Sequence, residues 1–339
     1  MKILITGGTG FLGRHLVWHL AGQGHEVIFT GRQQVLAQSI IGKIKTGSGD
    51  AEFVAMEHGG LQAQAILCRA AEGADAIIHS AALTSPWGAA DLFERANIAS
   101  TREVLAAAQV NRVNTLVHIS SPSVYFDFKD QLDIPEAQPL PDGVNAYARS
   151  KRVAEQLVQA ANLPHRVILR PRAIFGPWDN ALLPRLLRLI QYGRVPLMRQ
   201  GQALLDMTYV ENVVQAVMLS LALSPAPAPT AQVFNISNGE PLAVAALFDR
   251  LAQEFGMTIK TVQRPYWLAD LMARGLETLA QARPGWEPPF TRYSLATIAY
   301  SQTLDLRRAR QVLGYQPAVS LADGIRRTAQ WRKTEGRLT

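Results

Sequence analysis

The sequence predicts an α/β fold: a doubly wound parallel sheet followed by a smaller, mostly helical lobe. Three observations carry this. Apolar runs of strand length alternate with segments of helical period up to Arg170, a glycine-rich turn joins the first such pair, and the alternation breaks down afterwards. Strict strand–helix alternation means βαβ units, hence a parallel sheet with helices on both faces and a ligand crevice at the C-terminal strand ends.

The elements follow in order. Lys2 to Thr6 is apolar and β-branched, as a buried strand requires, while Phe11, Leu12, Leu16, Val17 and Leu20 recur at helical spacing. Between them lies G-x-x-G-x-x-G, with glycines at 7, 10 and 13. Glycine closes such a turn tightly and lets a pyrophosphate approach backbone amides at the positive end of a helix, so the predicted fold is of Rossmann type and its ligand a dinucleotide. Gly7, Gly10, Phe11, Leu12 and Gly13 are the expected contacts. Further strands are expected at Glu26 to Thr30, Glu52 to Ala55, Asp75 to His79, Thr115 to Ser120 and Arg166 to Arg170. Helices are expected at Leu61 to Ala71, Leu92 to Gln109 and Ala146 to Ala161. Beyond them come helices at Leu182 to Tyr192 and Val210 to Leu223, a stiff proline-rich joint "SPAPAPT" and a strand at Gln232 to Ile236. The expected division is a cofactor domain over 1–173, with returns at about 208–240, and a substrate lobe over 174–207 and 241–339.

Composition narrows the function classes. The chain has 339 residues, 48% hydrophobic and 18% charged, enough for a sizeable core. Its net charge of +7 contains no run of five like charges, although Arg326, Arg327, Arg332, Lys333 and Arg337 crowd its C-terminal end. A solvated basic face is expected rather than nucleic-acid binding. Cys68 is the lone cysteine, so no intrachain disulfide or thiolate metal cluster forms. No metal-type histidine spacing occurs, and no apolar run approaches the roughly 20 residues of a membrane span. The chain opens in a core strand without a charged leader, and a cytoplasmic location is expected.

The second strand ends "VIFTGRQQ". An acidic side chain there would accept from a ribose 2′-hydroxyl, whereas a cation suits a 2′-phosphate. Arg32 therefore predicts NADP(H) over NAD(H). The stretch "NAYARSKRVAEQL" sets Tyr147 and Lys151 four residues apart on one helix face, and "HISSPSVY" brings Ser120, Ser121 and Ser123 to the crevice mouth. A tyrosine of ordinary pKa near 10 is a poor base at neutral pH, and a nearby ammonium favours its phenolate. Such a tyrosine can exchange a proton with a carbinol oxygen that a serine hydroxyl holds.

Together these motifs resemble the extended short-chain dehydrogenase/reductase family over nearly the whole chain. The residues that carry the resemblance are the three glycines, "HSAA" after the fourth strand, Asn97, Ser121 four residues before Tyr125, Tyr147, Lys151 and "RPRAIFGPWDN". It implies Tyr147 as general acid/base, Lys151 as its helper and ribose ligand, and Ser121 as the group orienting the substrate oxygen, with Ser123 as alternative. It also implies cofactor contacts at Ala81 and, toward the nicotinamide, Pro171. Gly60 in "EHGGL" departs from the aspartate many relatives set against adenine. Leu205 stands where the family's sugar-nucleotide epimerases carry an arginine for the substrate diphosphate, and Pro122 and Ser123 stand where its dehydratases carry an acidic pair.

"LLPRLLRLIQYGRVPLM", "DMTYVENVVQAV" and "PPFTRYSLATIAYSQTLDLRRARQVLGYQPAVSLADGI" resemble the 3β-hydroxysteroid dehydrogenase-like branch, which includes 2-alkyl-3-oxoalkanoate reductases. That implies an oxidoreductase joining a ketone and a secondary alcohol on a small hydrophobic substrate, as a possible homodimer. Trp87 and Trp178 are candidate pocket walls. Tyr266, Trp267, Leu268, Leu271, Met272, Gly275, Leu276 and Leu279 form an apolar stripe that packs the second lobe, roofs a greasy pocket or meets a membrane surface. The rivals are a sugar-nucleotide epimerase holding NAD permanently and a non-catalytic NADP-binding regulator.

Overall fold

The computed structural model describes residues 1–44, 49–60, 62–191, 193–225, 230–283 and 285–335. Most of the joint "SPAPAPT", the expected helix ends Leu61 and Tyr192, and Arg337 lie outside them. Seven parallel strands form the central sheet: β1 (Lys2–Thr6), β2 (Glu26–Gly31), β3 (Ala51–Ala55), β4 (Ala76–His79), β5 (Thr115–Ile119), β6 (His165–Pro171) and β7 (Gln232–Ile236). Their order is β3-β2-β1-β4-β5-β6-β7, so the strand order reverses direction beside β1. Crossovers run to one side of β1 first and then to the other, and a crevice opens between them at the C-terminal ends.

The helices that matter for function are α1 (Phe11–Gly22), α2 (Gln34–Ile41), α3 (Ala63–Ala70), α4 (Ser100–Val110) and α5 (Ala146–Ala160). The sheet's two faces bury separate apolar clusters: Ile3, Ile5, Leu16 and Phe29 on one, Leu4, Leu67, Ile77 and Val104 on the other. Burial on both faces is why the strands inside the edge strand β3 read as continuous apolar runs rather than alternating ones. A single helix was expected over Leu92 to Gln109. Instead Ala90–Phe93 leads into a π-helical stretch, Glu94–Ala99, before α4 begins.

The second half is less helical than its sequence suggests. It contains α6 (Leu182–Gln191), α7 (Val210–Ala222), α8 (Val244–Phe255), α9 (Tyr266–Gln281), α10 (Arg292–Ala299) and α11 (Leu321–Thr334). Between them run strands of two to four residues. Leu204–Leu205, Leu242–Ala243 and Gln302–Leu304 join Gln131–Ile134 in a small mixed sheet beside the crevice. Among the described residues no helix is long and apolar enough to cross a membrane.

Candidate active site

The β1–α1 turn is built for close approach by a ligand. Gly7 adopts φ +71°, and a side-chain carbon there would lie 2.8 Å from the Ala81 backbone. One at Gly13 would lie 2.1 Å from the Gly7 carbonyl oxygen. Only glycine fits at either place. Gly10 caps α1 without a side-chain acceptor, so the first amides of the helix, those of Phe11, Leu12 and Gly13, point into the crevice unpaired within the helix. The Arg14 side chain ties the turn together from behind, Nη2 donating to the Thr9 carbonyl at 3.0 Å and Nε to that of Gly10 at 3.2 Å. This cradle fits a dinucleotide pyrophosphate.

At the end of β2, Arg32 is 76% exposed, its only ion-pair partner among the described residues being Glu57 at 3.9 Å. It is free to turn toward a ribose phosphate. The loop that carries Gly60 is held from α4, where Glu103 accepts from the Gly59 amide and pairs with His58.

Ser121 and Tyr147 meet across the crevice. Ser121 follows β5 and caps a 3-10 turn, Pro122–Tyr125, accepting from the Ser123 amide at 3.2 Å. Tyr147 sits in the first turn of α5, which Asn145 caps by accepting from the Ala148 amide. Burial pushes the Tyr147 phenol above its ordinary pKa, and a hydrogen bond with the Ser121 hydroxyl pulls it partly back. The Ser123 hydroxyl, in contrast, is buried with no partner among the described residues.

The Lys151 ammonium, buried one turn along α5, donates to the Ile119 carbonyl at 2.8 Å, while the hydrogen bond that lowers the Tyr147 phenol is the one with Ser121. Burial pulls Lys151 down to about 8, against the raising effect of Glu155. The groups beneath it are kept uncharged. His79 is pinned between the hydroxyls of Thr6 and Thr101, and burial holds both it and His118 well below the ordinary histidine pKa.

Around this core the structure assigns partners that the sequence did not give, and adds Glu155. Asn97, on the π-helical stretch, accepts from the Leu83 amide and donates to Ser150, fastening the loop after β4 to α5. Glu155 takes a bidentate contact from Arg170, at 2.9 and 2.5 Å, and a hydrogen bond from Ser120 at 2.5 Å. Ser120 is therefore a structural neighbour of the site rather than part of its mouth. Arg170 also donates to the Tyr125 hydroxyl, which in turn donates to Asn235. Tyr147, Lys151 and Glu155 make one stripe along α5, and only Glu155 lacked a motif to announce it.

The aromatic candidates divide. Trp87 lies on the loop after β4, next to Gly88, which packs against Phe93, and the Phe93 ring is 6.3 Å from Tyr147. Trp178 is elsewhere. Its ring stands 5.0 Å from Trp331 and 6.1 Å from Trp18, with Arg14 and Lys43 over it, a packing cluster on the outer side of α1. Tyr293, on α10, meets the Phe126 ring edge-on at 5.3 Å, and burial pushes its phenol well above the ordinary value. The stripe on α9 is not core: Trp267 is 68% exposed and Leu271 59%, and only Ala273 and Ala280 of that helix are buried.

Comparison with known proteins agrees with this geometry. The model of the NAD dependent epimerase/dehydratase family matches residues 3–237. The chain is similar to a 2-alkyl-3-oxoalkanoate reductase of Stenotrophomonas maltophilia (strain K279a), 33% identical over 340 residues that cover 96% of this chain and 98% of the relative. It is also similar to a mouse (Mus musculus) sterol-4-alpha-carboxylate 3-dehydrogenase, 29% identical over 346 residues, 97% of this chain and 90% of the relative. Among solved structures, a dTDP-glucose 4,6-dehydratase from Streptomyces venezuelae with NAD bound superposes with a TM-score of 0.74 at 23% identity, covering 99% of this chain and 98% of that one. A glycine cradle opposite a serine–tyrosine pair, on a chain that the family model matches from Ile3 to Ser237, makes this protein a member of the nicotinamide-dependent epimerase/dehydratase family, in its 3β-hydroxysteroid dehydrogenase-like branch.

Proposed function

We propose that the protein is an NADP(H)-dependent oxidoreductase interconverting a ketone and a secondary alcohol on a small hydrophobic substrate of 3-oxo acid or 3β-hydroxysteroid type. The observation that carries this reading is the hydrogen-bonded pair of hydroxyls, Ser121 and Tyr147, at the crevice mouth with Lys151 one turn behind. Gly7, Gly10 and Gly13, with the Phe11 and Leu12 amides, hold the pyrophosphate. Arg32 receives the 2′-phosphate, and Ala81 and Pro171 flank the rest of the cofactor. The bound nicotinamide supplies or accepts the hydride.

This chain's residues handle the oxygen. Tyr147 gives its phenolic proton to the carbonyl oxygen during reduction and takes it back during oxidation, while Ser121 donates to the same oxygen. A phenol raised by burial favours the acid role, and the Lys151 ammonium offsets the phenolate left behind. Residues 174–207 and 241–339 cover the substrate. Leu205, buried in its short strand, offers nothing to a diphosphate, which speaks against a sugar nucleotide.

The test is NADPH absorbance on mixing purified protein with long-chain 3-oxo acids and 3-ketosteroids. Consumption is expected, with a loss of about 10²- to 10⁴-fold in Tyr147→Phe. A Tyr147→Phe enzyme as fast as wild type overturns the assignment. No consumption, with NAD released on denaturation, favours the epimerase.

A further inference from the structure

Arg172 follows β6 at the crevice end of the sheet and is 9% exposed. The only hydrogen bond of its side chain among the described residues runs from Nε to the Gln302 carbonyl at 3.4 Å, and Nη2 has no partner among them. The carboxylate whose charge reaches it, Asp206, makes no ion pair with it; its Oδ2 accepts from Ser237 at 2.7 Å and from the Leu304 amide at 3.3 Å, and its Oδ1 is buried without a hydrogen-bond partner among the described residues. A guanidinium taken out of water without an anion is costly. Arg170, two residues earlier in the chain, is by contrast engaged with Glu155 and Tyr125.

A chain of hydrogen bonds ties Arg172 to the turn that carries Ser121. Gln302, which accepts from it, donates to the carbonyl of Pro122, next to Ser121. The missing anion is not the cofactor diphosphate. That group belongs to the β1 turn, three strands from β6, about 14 Å away across the sheet.

Building on the oxidoreductase reading, we infer that Arg172 is the substrate's carboxylate anchor, so that the enzyme takes acids whose carboxyl carbon stands two bonds from the reacting carbon. In such an acid the two carbons are about 2.5 Å apart. An anchor tied through Gln302 to the turn that carries Ser121 therefore meets the carboxylate when Tyr147 and Ser121 hold the carbonyl oxygen. A neutral ketone leaves the guanidinium unpaired, so Arg172 sets specificity as well as affinity.

The experiment compares a 2-alkyl-3-oxo acid with its methyl ester, with NADPH, in wild type, Arg172→Met and Arg172→Lys, using NADPH affinity as the folding control. Wild type is expected to prefer the acid by about 30-fold or more in kcat/KM, mainly through KM. Arg172→Met brings the acid-to-ester ratio toward one and Arg172→Lys retains part of it. An ester used as well as the acid by wild type, or an undiminished preference in Arg172→Met, overturns the inference. Calorimetric titration with decanoate and methyl decanoate in the presence of NADP⁺ decides the anchor independently of turnover. Decanoate binding lost in Arg172→Met supports it even where no 3-oxo compound is reduced and the oxidoreductase reading itself has failed. Equal decanoate binding by the two proteins overturns it.

Discussion

Glu155→Gln probes the buried network that joins the catalytic helix to the end of β5. Glu155 and Arg170 are both almost wholly buried and meet through two contacts, with Ser120 completing the carboxylate. Glutamine keeps the shape but removes the charge and leaves a desolvated guanidinium facing an amide. Removing one partner of such a pair costs about 3–5 kcal/mol. An unfolding entropy of about 2.1 cal/mol/K per residue gives about 0.7 kcal/mol/K for this chain, so Tm falls by roughly 4–7 °C. Adding Arg170→Met to Glu155→Gln removes the stranded charge and is expected to recover much of that loss, since an apolar replacement of a whole buried pair is often neutral. Thermal unfolding followed by circular dichroism reads both variants. A Glu155→Gln protein melting within a degree of wild type, or a double variant that loses the sum of the single effects, refutes the reasoning.

Two further outcomes follow from the site. Arg32→Ala is expected to raise KM for NADPH about 10-fold or more while leaving that for NADH nearly unchanged, read from initial rates with each cofactor; equal effects on both remove Arg32 from the phosphate site. Burial sets Lys151 at about 8, so the ammonium is intact below that pH and lost above it. If the charged form is the active one, kcat/KM falls tenfold per unit above about pH 8, and Lys151→Met lacks that limb of the profile. A wild-type profile flat to pH 10 contradicts the role.

The sheet was legible because its strands, the edge strand β3 apart, are largely buried on both faces and announce themselves as apolar runs of strand length. β7 is bounded as its sequence suggests, and α5 ends one residue early. The glycine cradle and the Tyr147–Lys151 spacing were legible because each obeys a local rule. What the sequence hid is pairwise and distant. Nothing local to Arg170 points to Glu155, or to Arg172 being left without an anion. The π-helical stretch at Glu94–Ala99 carries no glycine or proline to mark it, yet it aims Asn97 at Leu83 and Ser150. Strands as short as Leu204–Leu205 are defined only by partners from far along the chain. Trp178 misled for the opposite reason: its place just after β6 suggested the crevice, but the turn at φ +70° swings it onto Trp18 and Trp331.

The small sheet beside the crevice also sets an order of assembly. Every residue proposed for proton transfer has emerged once β6 ends at Pro171, but the strand that pairs with Gln131–Ile134 and reaches Pro122 through Gln302 comes some 130 residues later. At about 5–20 residues per second of synthesis, the nascent chain carries its glycine cradle and both hydroxyls for about 7 to 26 seconds before the wall around them exists. During that interval the edge of Gln131–Ile134 is without its partner strand and Arg172 is without its contact to Gln302.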